Sequence, residues 1–272
     1  MRLLVSRDYK KDDTVVQIGN VSIGNGSLCL IAGPCTIEGF DQLHSVASGL
    51  SKMNIDILRA GAFKPRTSSY SFQGMGAEGL GMLSRVKSEF RLPTVSEIVD
   101  IADLSLFDDV DILQVGAKNM QNYSLLKRLG MQEKPVLLKR GWSNTIDEFL
   151  ESAEYIYRGG NHNIILCERG IRTFEPSARN SFDINAIPIL KSRTHLPVIG
   201  DPSHGTGISE LIMPVSLAIV AAGADGLMIE VHENPECALC DGRQSIRLKD
   251  FKVLENRVRI YEKIRNFDNS SI

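Results

Sequence analysis

The sequence predicts an α/β chain folded as a closed (β/α)8 (TIM) barrel, and three observations point that way. Eight short apolar, β-branched runs recur at intervals of roughly 20–35 residues. A stretch compatible with a helix follows each run. The cationic and metal-type side chains gather just after the runs, at the end where barrels of this kind build their sites.

The elements follow in chain order. Residues 14–26, Thr-Val-Val-Gln-Ile-Gly-Asn-Val-Ser-Ile-Gly-Asn-Gly, alternate in polarity and contain Gly-Asn. They predict a β-hairpin that caps the bottom of the barrel. Barrel strands are expected at 28–32, 55–59, 92–95, 112–115, 136–139, 164–167, 198–200 and 227–231. Helices at 42–53, 77–90, 96–105, 122–129, 145–157, 185–192, 210–222 and 248–264 alternate with them. The helix at 145 has a capped start, since Asn144-Thr145 precedes Asp147 and Glu148 in the first turn. A doubly wound sheet is the alternative, but such sheets rarely run to eight regular units with all polar function at one end. The mostly polar tail from Asn266 to Ile272 is expected to fray. No linker or low-complexity segment interrupts the pattern. Residues 1–272 therefore read as a single catalytic barrel domain, with 1–27 as an N-terminal extension and no separate regulatory domain.

Composition narrows the function. The chain has 272 residues, 43% hydrophobic and 24% charged, which is ordinary for a soluble globular protein. A net charge of -2 provides no basic field for nucleic acid or an anionic membrane. No segment reaches the roughly 18–20 uncharged apolar residues that span a bilayer, and the N-terminus has no signal-peptide core. Of the five cysteines, Cys29 and Cys167 lie in apolar strand-like runs and read as buried, reduced thiols. That usage fits a cytoplasmic location.

The chemistry is expected at the strand ends. Cys35, His204, Glu230 and Asp241 each sit where a strand gives way to a loop. A thiolate, an imidazole and two carboxylates suit one divalent transition metal. Glu230 ends the apolar run Gly226-Leu-Met-Ile, where an unpaired carboxylate is costly to bury. Asp241 taken alone is weaker, because Asp-Gly is first of all a turn, and His232 is an alternative or supporting group. Arg59, Lys118, Lys139-Arg140 and Arg169 come to the same rim from other strands. Arg59-Ala-Gly-Ala-Phe-Lys64-Pro-Arg66-Thr67 puts three cations within eight residues on a Gly- and Pro-shaped loop fit to surround an anion. A metal beside so concentrated a cationic pocket points to an enzyme acting on phosphorylated carbon compounds. Cys237-x-x-Cys240 lacks the second pair of a structural zinc site. Its cysteines, Cys240 above all, are instead candidates for a disulfide with Cys35 when no metal is bound.

At these residues the chain resembles the 3-deoxy-D-arabino-heptulosonate 7-phosphate (DAHP) synthase family, of the short type related to 3-deoxy-D-manno-octulosonate 8-phosphate (KDO8P) synthase. The resemblance spans residues 9–265. It rests on Ala32-Gly-Pro-Cys35, Arg59-Ala-Gly-Ala-Phe-Lys-Pro-Arg-Thr-Ser68, Tyr70-Ser-Phe-Gln-Gly74, Leu138-Lys-Arg-Gly141, Cys167-Glu-Arg-Gly-Ile-Arg-Thr-Phe-Glu175 and Asp201-Pro-Ser-His-Gly205. It implies condensation of phosphoenolpyruvate with erythrose 4-phosphate, the first step of the shikimate pathway. Lys64-Pro-Arg-Thr67 favours erythrose 4-phosphate as acceptor. The alternatives are the KDO8P reaction or a related condensation of phosphoenolpyruvate with a sugar phosphate, and a non-catalytic phospho-metabolite sensor that has kept the pocket.

Carried over residue by residue, the resemblance makes Cys35, His204, Glu230 and Asp241 ligands of one divalent metal such as Mn2+, Fe2+ or Zn2+. Arg59, Lys64, Lys118, Lys139 and Arg169 would hold phosphoenolpyruvate, with Arg66 and Thr67 on the aldose phosphate. Lys64, beside Cys35 and His204 at the catalytic centre, is the preferred proton donor to the nascent alkoxide, with a metal-bound water as the alternative. The resemblance also implies a homo-tetramer or homo-dimer. Lys118 stands where Arg is usual, Ser69 where Pro is usual, and Cys240 and Arg243 flank Asp241 where Ser and Pro are common. The ferredoxin-like and chorismate mutase appendages of some relatives are not seen, so no inhibition by aromatic amino acids is expected.

Overall fold

Each barrel strand carries two messages, one on each face, and the computed structural model, which describes residues 2–270, separates them. The strands are β3 (Cys29–Gly33), β4 (Ile57–Arg59), β5 (Thr94–Glu97), β6 (Ile112–Val115), β7 (Val136–Lys139), β8 (Ile164–Glu168), β9 (Val198–Gly200) and β10 (Gly226–Glu230). All neighbours pair in parallel, and β10 closes on β3 with Gly226 opposite Cys29. Successive side chains alternate between faces. Leu30, Ala32, Leu58, Leu113, Leu138, Leu166, Val198 and Ile229 pack outward in one cluster with the surrounding helices.

The inward positions form a second cluster: Cys29, Ile31, Ile57, Val95, Ile112, Leu137, Ile165, Cys167, Ile199 and Met228. Two residues further along, the same faces turn polar, at Arg59, Glu97, Gln114, Lys139, Asp201 and Glu230, all of them buried. The barrel interior is thus apolar below and charged above.

The hairpin pairs β1 (Val16–Ile18) antiparallel to β2 (Val21–Ile23) around Gly19-Asn20. Val16, Ile18 and Ile23 join the inward apolar cluster, so the hairpin stoppers the lower end. Each such side chain stabilises by about 1.5–3 kcal/mol when fully buried.

The helices are α1 (Phe40–Leu50), α2 (Gly76–Phe90), α3 (Tyr123–Gly130), α4 (Ile146–Arg158), α5 (Ala186–Arg193), α6 (Pro202–Thr206), α7 (Ser209–Ala221) and α8 (Leu248–Ser270). Thr145 caps α4 through a capping box: its hydroxyl accepts from Glu148 N at 3.2 Å, and the Glu148 carboxylate accepts from Thr145 N at 2.8 Å.

Two expectations are corrected. No α-helix covers 96–105: Ser96 and Glu97 extend β5 and pair with Leu113 and Gln114, and a 3-10 helix at Ile101–Phe107 follows. Pairing with β6 keeps the chain extended here, and Asp100 starts the 3-10 turn by accepting from Ala102 N at 2.9 Å. The C-terminal tail does not fray at Asn266, because α8 continues to Ser270; Ser271 and Ile272 lie outside the described residues. The helix is tied to the barrel floor, where Arg259 donates to Leu28 O, Glu262 accepts from Leu28 N, and Arg265 donates to Ala224 O at 2.7 Å.

Candidate active site

Backbone geometry first brings Cys35 to the barrel mouth. Gly33 ends β3 at φ +150°, and a Cβ there would stand 2.0 Å from the Arg59 carbonyl oxygen. Only glycine lets β3 and β4 run so close as they deliver Cys35 and Arg59 side by side.

His204 arrives by a different device. Asp201, just past β9, caps α6 and accepts from His204 N at 2.9 Å, with Pro202 at the first helical position. The other Asp201 oxygen lies 2.7 Å from His204 Nδ1 and accepts its proton. That fixes the ring and leaves the Nε2 lone pair free to face the mouth. Burial lowers the imidazole to about 4, so His204 is neutral near pH 7.

Glu230 closes β10. Burial disfavours its charge, but His204 and the Arg59 guanidinium outweigh that and hold the carboxyl at about 2. Asp241 sits at φ +54°, a left-handed conformation uncommon outside glycine and asparagine.

The four donor atoms of Cys35, His204, Glu230 and Asp241 lie within 4.8 Å of one another. His204 Nε2 is 3.2 Å from Glu230 Oε1 and 3.8 Å from Asp241 Oδ2, and Cys35 Sγ is 3.2 Å from that same Asp241 oxygen. The Lys64 ammonium reaches into this group, 2.9 Å from Cys35 Sγ, 3.3 Å from Asp241 Oδ2 and 3.4 Å from His204 Nε2. Although burial opposes its charge, Cys35, Glu230 and Asp241 together raise its pKa, so Lys64 stays protonated. One soft sulfur, one imidazole nitrogen and two carboxylates already gathered around a cationic atom form a set that fits a divalent transition metal.

The cations divide into two levels. Arg59 and Lys139 are buried, Arg59 on Glu230 and Lys139 on Asp201, each at 2.5 Å. Arg169 is also buried, and its Nη1 has no hydrogen-bond partner, an orphaned donor suited to an anionic group. Higher up, Arg66 Nη1 donates to Cys240 Sγ at 2.6 Å. Lys118 is exposed and donates to Pro65 O at 2.9 Å, with Thr67 Oγ1 at 3.4 Å. Arg140 turns away from the mouth to Glu168 and Asp183. His232 is outside the donor set: its Nδ1 accepts from Asn234 N, and its Nε2 lies 3.5 Å from Glu38.

Two buried groups at the site have no role in the sequence reading. Asp201 was legible as an acid three residues before His204 at a Pro-marked helix start. Gln244, whose Nε2 donates to Glu230 Oε2, had no local signal.

Comparison with known proteins places the chain in a family. A family model described as the DAHP synthetase I family matches residues 9–265. The chain belongs to that family. A phospho-2-dehydro-3-deoxyheptonate aldolase of Thermotoga maritima is 49% identical over 257 residues, covering 94% of this chain and 76% of that one. Among DAHP synthase structures, the crystal structure of the Thermotoga maritima enzyme superposes with a TM-score of 0.94 at 48% identity, over 96% of this chain and 77% of that one. A truncated form of that synthase gives 0.90 at 45% identity, with 96% of both chains covered. A 2-dehydro-3-deoxyphosphooctonate aldolase of Geobacter sulfurreducens is more distant, at 34% identity over 271 residues, 92% of this chain and 98% of that one.

Proposed function

We infer that this DAHP synthase family member condenses phosphoenolpyruvate with D-erythrose 4-phosphate and water, giving 3-deoxy-D-arabino-heptulosonate 7-phosphate and phosphate, the first step of the shikimate pathway. The observation that carries this is the stacking of two cationic levels around one donor cluster, in a chain 49% identical to a phospho-2-dehydro-3-deoxyheptonate aldolase.

Arg59, Lys139 and Arg169 are the buried level, and we assign them to the carboxylate and phosphate of phosphoenolpyruvate. Arg169 has a free Nη1 to offer, and the other two need only share donors now spent on Glu230 and Asp201. Arg66 and Thr67 on the rim take the acceptor's phosphate, and Lys118 beside them on the rim reaches for phosphoenolpyruvate. A divalent cation on Cys35, His204, Glu230 and Asp241, with Mn2+, Fe2+ and Zn2+ the ions such a set suits, would supply Lewis acidity toward the aldehyde oxygen.

The enol carbon of phosphoenolpyruvate attacks the aldehyde carbon. Lys64, protonated and beside Cys35 and His204, gives its proton to the new alkoxide. Water adds to the electron-poor carbon left behind, and phosphate departs with cleavage of its C–O bond. The fixed cations neutralise both phosphates before reaction, so positioning and electrostatics lower the barrier.

All these residues lie in one barrel, which we read as the chain's single catalytic domain, working as a homo-tetramer or homo-dimer. Five free cysteines support a cytoplasmic setting, and no helix among the described residues is long and apolar enough to cross a membrane. The test is phosphoenolpyruvate consumption with erythrose 4-phosphate or arabinose 5-phosphate, before and after EDTA. Turnover with the four-carbon acceptor that EDTA abolishes is expected. A preference for arabinose 5-phosphate would transfer the chain to the KDO8P reaction, and no phosphate release with either would leave a sensor.

A further inference from the structure

The loop between β8 and α5 reaches the donor cluster without supplying a donor. Arg179 N donates to Thr206 O at 2.8 Å, and Asn180 N to Gly205 O at 3.1 Å. The Asn180 side chain donates to His204 O at 3.0 Å. Close packing seals this zipper: a Cβ on Gly207 (φ +70°) would lie 2.4 Å from Arg179 Cβ.

From that anchored backbone the Arg179 guanidinium turns to the carboxylates. Its Nη1 donates to Asp241 Oδ1 at 3.2 Å and to Gln244 Oε1 at 2.8 Å. Gln244, buried, passes the contact on by donating from Nε2 to Glu230 Oε2. Arg179 thus fixes one carboxylate directly and the other through an amide whose orientation it sets. In both cases the second carboxylate oxygen is left turned toward His204 Nε2. Asp241 needs such a hold, since its backbone is left-handed.

We propose that Arg179 and Gln244 are positioning residues that set the Glu230 and Asp241 carboxylates for metal binding, and so make the β8–α5 loop part of the metal centre. This rests on the metal assignment above. Neither Arg179 nor Gln244 touches Cys35, which meets this chain only through the Asp241 carboxylate at 3.2 Å, so loss of Arg179 should loosen the carboxylate half more than the sulfur.

The experiment uses the full chain, stripped with EDTA and titrated with Co2+ against a competing chelator, with absorption spectra of the loaded protein. R179M is expected to weaken Co2+ binding about 10–100-fold. Its d–d bands should change while the sulfur-to-cobalt charge-transfer band persists. R179K keeps a charge for Asp241 but cannot hold Gln244 as well, and should fall between parent and R179M. Q244L should weaken binding too, and R179M/Q244L should cost less than the product of the two single losses, because the pair acts as one unit. The Arg179 side chain is 45% exposed and borders a surface cavity of about 380 Å3, so R179M opens no buried void. Melting of the metal-free variant should match the parent. Parent-like Co2+ affinity and spectrum in R179M would overturn the proposal, as would equal loss of the charge-transfer band. A parent chain that binds no Co2+ would overturn the metal assignment itself, and this proposal with it.

Discussion

The Lys64 ammonium lies 2.9 Å from the Cys35 sulfur, so the proposed proton donor and the proposed sulfur ligand share one point of the barrel mouth. A lysine there opposes a second cation and also serves the reaction, and the two effects separate on substitution. K64M should bind Co2+ at least as tightly as the parent, since a competing positive charge is gone. Its kcat should fall by about 10²–10⁴-fold, the usual worth of general acid catalysis. Chelator competition and steady-state rates measure the two. Weaker Co2+ binding in K64M would show that Lys64 builds the site, and its role as acid would then be unproven by the rate loss.

Oxidation should close the same site. Cys35 Sγ and Cys240 Sγ are 3.5 Å apart, while the exposed Cys237 is engaged by Asn234 Nδ2 at 3.0 Å. A disulfide needs about 2.05 Å between sulfurs, a small approach for two loop residues. In metal-free chain, one peroxide should take both thiol hydrogens and two electrons, giving one disulfide and two waters. Titratable thiols should drop from five to three (5 − 2), with Co2+ binding lost until dithiothreitol is added. C240S should lose none under the same treatment. Five free thiols in oxidised parent would rule out the pairing.

Lys118 now spends its ammonium on the Pro65 carbonyl and Thr67 hydroxyl of the loop between β4 and α2. Burial lowers its pKa, and Arg66 adds to the effect. An arginine has enough donors to keep that tie and still grip a phosphate bidentately. K118R should therefore lower KM for phosphoenolpyruvate several-fold with little change in kcat, while K118M should raise KM for both substrates. Initial-rate measurements with each substrate varied decide it, and an unchanged phosphoenolpyruvate KM in both variants would detach Lys118 from that substrate.

Stability should fall on mild acidification through His195, at the foot of the molecule. It is fully buried, its Nε2 faces Leu4 O at 2.9 Å, and its Nδ1 faces Thr14 Oγ1 at 2.8 Å. Burial depresses its pKa below the ordinary histidine value. The unfolded chain, titrating near about 6.5, then binds more protons than the folded one. Stability is intact above that value and is lost as pH falls from there toward the depressed value. Urea midpoints should drop between pH 7.5 and 5.5 in the parent, and less steeply in H195N. Parallel slopes would exclude His195 as the cause.

The legible parts of this molecule are those with a short-range code. Alternation gave the inward faces, so Ile57 then Arg59, or Leu137 then Lys139, could be read from spacing alone. Glycine before Cys35 and the Asp201–His204 spacing marked loop geometry in the same way. The extension of β5 through Glu97 was hidden because Ser and Glu are poor strand formers, and only pairing with β6 holds them extended. Gln244 was hidden for a different reason: its value lies wholly in contacts with Arg179 and Glu230, 65 and 14 positions away in the chain. Contacts of that kind exist only once the barrel is closed.

The hairpin residues Val16, Ile18 and Ile23 lay a second apolar floor beneath the barrel's own inward layer, so the charged half rests on solid packing. On the substrate assignments proposed above, the guest on the buried Arg59, Lys139 and Arg169 sits deeper than the one on the half-buried Arg66 and exposed Thr67. The deeper guest would then board first, and the later one, seated on the rim, would shut the exit behind it. On those assignments phosphoenolpyruvate would go ahead of the aldose phosphate, an order set by depth in the barrel mouth rather than by any reacting atom.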